Sequence, residues 1–599
     1  MGSQKYWQGL DLRCYRCSRC LLTFVLLCLP AWATTYYVDN CVVTGNDSNN
    51  GTAPGTPWLT IAHVNAHTFS AGDSVLFQGG CTWREQLSLQ QSGSSGNPIT
   101  IASYGTGQAI INGANVLTAW THASASLYYA AEPSTSSLGG GSFQVFEDGT
   151  RLIQNTTSSA SLQAGQWYLD TGGSKIWVYT TAGDDPTGHT MEISVRQDCI
   201  VNNMDYIAIQ NLAVERAAWA GVDVNNYWRV LHSVSITGMT AQQNYNSGIA
   251  VYDTGSNHYA ISNVVISGNT TSDNGGPGID MWAAVATISP VSITNNILHD
   301  DMWNSTITAS GSIHIGAAPN VTNLTVEQNL VYNSGINLPT FKAYPNTYWT
   351  GSGIYIDTVS TGTAVRYNNL YNNNADGLVL EEVTGAAVYG NIAYNNGVAG
   401  FTLDRIGHTN LVYNNTSYGN SIGFQIWAPG NATAGDFTDN QFKNNIAAGN
   451  TVAALMAVNG GENDGTYGSG NIYTYNAFGA AATDFIEWGS STYKSIYSAW
   501  ETATGNCGTS GCSHSIQTAP TFTNAAGNNF TLASGSSAID AGTNLGSTYE
   551  MGLNPSSSWP SSVSTLNQNS YGAGWEIGAF VFAPQVRPAP PTSLSATVH

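Results

Sequence analysis

Gly353-Ile-Tyr-Ile-Asp357, Gly377-Leu-Val-Leu-Glu381, Gly400-Phe-Thr-Leu-Asp404 and Gly423-Phe-Gln-Ile-Trp427 repeat one pattern, a glycine followed by apolar residues at its first and third positions. The same pattern runs upstream as Gly221-Val-Asp-Val-Asn225, Gly248-Ile-Ala-Val-Tyr252 and Gly278-Ile-Asp-Met-Trp282, and Ser312-Ile-His-Ile-Gly316 fits between the third and fourth copies. A second element is an asparagine at an apolar strand end: Asn269, Asn296, Asn329, Asn369, Asn391, Asn415 and Asn445. Copies of either element are mostly about 22 to 33 residues apart. Short strands with period-2 alternation, at this spacing and with no helical pattern between them, predict a β-solenoid. Stacked asparagines suit one corner, because each amide can satisfy turn backbone and the next amide at once. Propeller blades need longer repeats of four strands, so they fit less well.

Alternation along a strand turns the pattern into a map. Positions one and three point into the core. Position two then carries Asp223, Ala250, Asp280, His314, Tyr355, Val379, Thr402 and Gln425 outward, and position four carries Asn225, Tyr252, Trp282, Asp357, Glu381, Asp404 and Trp427. Asp357, Glu381 and Asp404 thus fall on consecutive rungs. Stacked carboxylates repel, so a sheet with only a structural role avoids them, and crowding of like charges raises the pKa of one member, as a general acid requires. The plainer reading is a solvated face with rim aromatics. Neighbouring rungs lie about 4.7–4.9 Å apart, close to the roughly 5–5.5 Å between the carboxyls of retaining glycosidases. Asp404, two rungs from Asp357, is expected to orient a sugar hydroxyl or tune Glu381. Tyr252, Trp282, Tyr355 and Trp427 would offer flat faces to sugar rings, with Asp280 and His314 lining the same cleft and Tyr344, Tyr348 and Trp349 walling it.

Thr35-Tyr-Tyr-Val-Asp39, Gly45-Asn-Asp-Ser-Asn-Asn-Gly-Thr52, Pro57-Trp-Leu-Thr-Ile61 and Ala71-Gly-Asp-Ser-Val-Leu-Phe77 resemble the opening segment of pectate-lyase-like β-helix proteins, and Ala538-Ile-Asp-Ala-Gly542 resembles their closing segment. The resemblance implies an all-β, right-handed parallel β-helix acting on carbohydrate, but a fold is not a reaction. Phe146-Glu-Asp-Gly-Thr-Arg151, Gly165-Gln-Trp-Tyr-Leu-Asp170 and Ile176-Trp-Val-Tyr179 read as strands joined by Gly-rich turns. Together they suggest a small β-sandwich inserted over 126–194, similar to the one in β-helix glycosidases of the β-xylosidase type. An aspartate followed one rung later by a glutamate is also similar to the catalytic pair of those enzymes. The resemblance implies a retaining hydrolase with Asp357 as nucleophile, Glu381 as acid/base and a xylan-like neutral substrate.

The flanks agree with export. Lys5, Arg13, Arg16 and Arg19 precede an apolar run, Cys20 to Leu29, that ends in Ala31-Trp32-Ala33. This reads as a signal peptide over 1–33, too short to span a membrane at about 20 residues. The expected order is then a cap and first rungs over 34–125, the insertion, the solenoid and closing segment over 195–583, and a Pro/Ser-rich tail over 584–599. The formal net charge is −21, or about −24 after cleavage, which disfavours nucleic acid and anionic membranes as partners. Outside the cell disulfides are permitted. Cys41 with Cys81 could tie down the cap, Cys507 and Cys512 lie in one loop, and Cys199 is left over. No metal site or required cofactor is expected from the cysteine spacing. A structural calcium at Asp39, Asn46, Asp47 and Asn49 competes with a plain Asx-rich turn.

Two rivals remain at this stage. A polysaccharide lyase or epimerase would use Arg405, Lys342 and a calcium near Glu381-Glu382 against a uronate. A non-catalytic binding solenoid would keep the aromatics without a productive acid pair.

Overall fold

The computed structural model describes residues 33–43, 45–133, 143–253, 257–316, 320–338, 341–342, 350–358, 362–427, 435–458, 470–479, 484–488, 491–493 and 515–583. The leader's basic and apolar residues, Tyr344, Tyr348, Trp349, Cys507, Cys512 and the tail lie outside them.

Among the described residues three long sheets contain 13, 14 and 12 strands, and each rung gives one strand to each sheet. In one rung these are Ile261–Ser267, Thr270–Ser272 and Ile279–Ala283, each paired in parallel with its counterpart in the next rung. Inward residues of all three sheets join in one apolar cluster that runs from Val38 to Ile486. Periodic burial of this kind lets many short strands share a single core.

Two corners explain the glycine and asparagine signals. At the first, a residue in the left-handed region precedes each ladder asparagine: Asn295, Gln328, Tyr367, Gly390 and Asn414 have φ near +50° to +67°. The backbone N–H and side-chain amide of Asn296 both donate to Oδ1 of Asn329 (3.0 and 2.9 Å), and those of Asn329 donate to Oδ1 of Asn368 (2.9 and 3.0 Å). The ladder continues through Asn391, Asn415, Asn445 and Asn476. Asn368, and not the expected Asn369, is therefore the member from this rung, because the left-handed turn falls at Tyr367. Asn369 belongs to the strand, and its Oδ1 has no hydrogen-bond partner.

A second ladder, not anticipated, follows the other corner through Asn244, Asn274 and Asp301, and again through Asn373, Asn396, Asn420 and Asn450. The glycine column sits against it. A Cβ on Gly248 would lie 2.6 Å from the Gly278 carbonyl oxygen, and one on Gly377 2.6 Å from that of Gly400. Rungs this close leave no room for a side chain.

Residues 114–194 form two further sheets around a shared core of Val145, Trp167, Ile176, Val178 and Ile193. Their pairing begins at Ala114–Val116, upstream of the expected Ser126. Arg84 (2.6 Å) and Arg216 both pair with the buried Glu192, and Arg151 reaches Asp273 at 2.9 Å. These ion pairs tie the insertion to the rungs. Cys41 and Cys81 are bridged, while Cys199 is free and buried. In the cap, Asp39 accepts the backbone N–H groups of residues 41–43, and Asp47 accepts those of Leu59 and Thr60. Asn46 accepts from Ser48, and Asn49 donates to the Pro57 carbonyl. No helix among the described residues is long and apolar enough to cross a membrane.

Candidate active site

The site lies on the sheet of the glycine-opened strands. They are β1 (Val222–Asn225), β2 (Ile249–Asp253), β3 (Ile279–Ala283), β4 (Ser310–Gly316), β5 (Thr350–Asp357), β6 (Leu378–Thr384), β7 (Ala399–His408) and β8 (Ile422–Trp427). Their register aligns Asp223, Ala250, Asp280, His314, Tyr355, Val379, Thr402 and Gln425 in one column. It aligns Asp357, Glu381, Asp404 and Trp427 in the other. Each of the three carboxylates is followed by a residue with positive φ, Thr358 (53°), Glu382 (53°) and Arg405 (63°). Non-glycine residues rarely adopt this conformation. After Glu381 it accompanies a shift in register, beyond which Val383 and Thr384 pair with Gly407 and His408.

A cavity of about 690 Å³ opens over this sheet. Its lining includes Asp223, Tyr252, Asp280, Trp282, His314, Asp357 and Glu381, and it has no lysine or arginine among the described residues. Gln197, Trp219, Tyr227 and Asn246 also line it. They sit in corners and loops that period-2 reasoning leaves unplaced, although exposed aromatics beside a mapped strand were the available signal.

The acids are held in different ways. Thr358 Oγ1 donates to Asp357, which leaves the other carboxylate oxygen for the cleft. The Tyr355 hydroxyl donates to Oε2 of Glu381, and Arg405 Nε pairs with Oε1. Burial raises the Glu381 pKa, Asp357 and Glu382 add to the rise, and Tyr355 and Arg405 oppose it. Asp404 is fully buried, makes no side-chain hydrogen bond and is pushed up to about 8 by burial and then by Glu381. It cannot reach a sugar hydroxyl, so of its two expected roles only an effect on Glu381 remains.

The aromatic expectations need correction at Tyr355 and Trp427. Tyr355 is 1% exposed and offers no face to a ring; its hydroxyl serves Glu381 instead. Val379, Thr402 and Gln425 in its column are buried too, beside an apolar cluster that includes Ala375, Val398 and Met456. In this column the side chains are thus covered from β5 onward, and Glu381 is on the last rung that lines the cavity among the described residues. Trp427, half-buried and in register with Asp404, is absent from the cavity lining. Trp282 does offer an exposed face. A Cβ on Gly316 would lie 2.6 Å from Trp282 Cε3 and 2.7 Å from His314 Cε1, so the absent side chain is what lets the indole lean along the cleft.

Asp280 is the polar hub of the far half. It accepts from Tyr252 Oη and from Ser247 Oγ (3.1 Å), and His314 Nδ1 lies 2.8 Å from its other oxygen. With Nδ1 occupied, Nε2 is the histidine nitrogen left for a ligand.

The chain matches the family model described as the right handed beta helix region over residues 220–404. The solenoid is a right-handed β-helix. The matched stretch of the β-helix runs from just before Asp223 to Asp404 and contains all four carboxylates that line the cavity among the described residues, Asp223, Asp280, Asp357 and Glu381. A lacto-N-biosidase of Bifidobacterium longum subsp. longum is 40% identical over 77 residues, 12% of this chain and 5% of that protein, so the match spans a small fraction of the relative's length. Among solved structures, XylC in complex with xylose is 16% identical, with 69% of this chain and 75% of that one covered and a TM-score of 0.52. Pectate lyase Pel9A is 15% identical over 92% of this chain and 96% of its own, with a TM-score of 0.37.

Proposed function

We propose that the protein is an exported glycoside hydrolase that cleaves a neutral glycan, xylan-like by preference, with retention of configuration. The observation that carries this is the in-register pair Asp357 and Glu381 at the β5–β6 end of the cleft. Their rungs lie about 4.8 Å apart, close to the roughly 5–5.5 Å at which a nucleophile and an acid flank the scissile bond from opposite sides in retaining enzymes.

Asp357 attacks the anomeric carbon and forms a glycosyl ester as the glycosidic C–O bond breaks. Glu381, whose proton affinity burial raises, gives its proton to the departing oxygen. Glu381, now a carboxylate, then takes a proton from water, whose oxygen displaces Asp357 from the anomeric carbon. The two inversions leave the product with the starting configuration. Asp404 sits behind Glu381, in register with it on the next rung. His314 and Trp282, on β4 and β3, hold the sugar in the half of the cleft that runs towards β1.

The lyase reading needs a free cation for a uronate carboxylate. Arg405 pairs through Nε with Glu381 and does not line the cavity, and Lys342 Nζ donates to Asn372 and to the Asn395 carbonyl. The curated relative, by name a lacto-N-biosidase, is in keeping with hydrolysis.

The test is activity of the mature protein on neutral and uronic glycans, with reducing ends and unsaturated sugars read in parallel. Reducing ends without unsaturated product, lost in Asp357→Asn and Glu381→Gln, and a first-formed product of unchanged anomeric configuration by NMR are expected. Unsaturated product would overturn the proposal.

A further inference from the structure

The catalytic reading uses only the β5–β6 end of the cleft, yet the cavity continues to β1. There Trp219 and Tyr227 stand on the corners before and after the strand, with Asp223 facing outward between them. Both rings are exposed, at 38% and 46%, and both border the same cavity. Trp219 is also rigidly mounted: its backbone N–H donates to the Gln197 carbonyl at 2.7 Å, and its carbonyl accepts from Asn246 at 3.0 Å. Asp223 accepts from Asn225 through one oxygen and keeps the other for the cavity.

We infer that Trp219, Tyr227 and Asp223 form a distal sugar-binding subsite of this cleft, and that the substrate is an uncharged oligosaccharide or chain long enough to reach it from Asp357. This rests on the hydrolase reading and specifies its substrate. Four rung steps separate the Asp223 and Asp357 positions, about 19 Å at the usual strand spacing. That span exceeds one sugar ring several-fold. Aromatic faces recur along it at Tyr252 and Trp282, and flat rings with adjacent hydrogen-bond acceptors suit the apolar faces and hydroxyls of sugars. The absence of lysine and arginine from the described lining favours an uncharged chain.

The experiment measures kcat/KM and binding on ladders of neutral xylo- and gluco-oligosaccharides of two to six sugars. Wild type should gain in kcat/KM with chain length. Trp219→Ala and Tyr227→Ala should each lose about three- to tenfold on the six-sugar substrate and much less on the two-sugar one. Trp228→Ala serves as the control, because Trp228 is exposed beside Tyr227 and does not line the cavity. A flat dependence on length, equal losses on short and long substrates, or no binding of any member would overturn the subsite. If nothing is cleaved but Glu381→Gln binds the six-sugar chain and loses that binding with Trp219→Ala added, the subsite stands and the hydrolase reading falls.

Discussion

Arg405 Nε is paired with Oε1 of Glu381, one rung away, and so turns from the cleft towards its own acid. The guanidinium favours the ionised form of Glu381 and opposes the burial that raises its pKa. Arg405→Gln should therefore raise that pKa further. Glu381 then keeps its proton to higher pH, and the alkaline limb of kcat/KM moves up. A limb that stays still or moves down would show that Glu381 is not the acid.

The roles of the pair separate by rescue. Glu381→Ala should lose about 10²–10⁴-fold in kcat and recover with azide, giving a glycosyl azide of unchanged configuration. Asp357→Ala with azide should give the inverted product. Exchange of these two outcomes would exchange the two assignments.

Gly316→Ala probes the lean of Trp282. Its Cβ would meet the indole at 2.6 Å, so the ring must swing away from the cleft. KM should rise several-fold with the fold intact by circular dichroism. An unchanged KM would mean that Trp282 does not hold the substrate.

The asparagine ladder makes a sharp comparison between neighbours. Asn391→Ala strips an acceptor from the Asn368 backbone and side chain and should cost about 1–3 kcal/mol in urea unfolding. Asn369→Ala removes an oxygen that has no partner and should cost much less. Equal losses would contradict the ladder as the source of the effect.

Asp301 replaces asparagine in the second ladder, and burial pushes its pKa up to about 7. The unfolded group titrates near 3.9, so between these values the folded state holds the extra proton. Its stabilising effect is complete below about pH 4 and lost as pH rises through 7. Asp301→Asn should therefore raise Tm relative to wild type more at pH 8 than at pH 5. A gap independent of pH would refute the protonated form.

Much of this was legible in the chain because β-solenoids reuse one local rule. Glycine at zero and apolar residues at one and three were enough to place Asp357, Glu381 and Asp404 in register and to insert His314 in its column. What the alternation cannot say is what lies above an outward side chain. Tyr355 and Trp282 have equivalent standing in the pattern, yet one is sealed and the other open, because coverage comes from corner segments and neighbouring columns. The Asn368/Asn369 ambiguity has a similar origin: adjacent asparagines are indistinguishable until the left-handed residue before the ladder is located. The second ladder, Asp301 included, lies at the other corner, away from the strand-end asparagines that mark the first.

The carboxylate pair occupies two adjacent rungs, while the remainder of the cleft is spread one strand at a time over those that precede them. Chemistry and reach are thus encoded by separate stretches of the gene. Duplicating or deleting a whole rung between β1 and β5 would lengthen or shorten the binding track by a fixed increment and leave the reacting groups in place. Under the proposed function, the number of rungs between these strands sets the length of glycan that the cleft accepts.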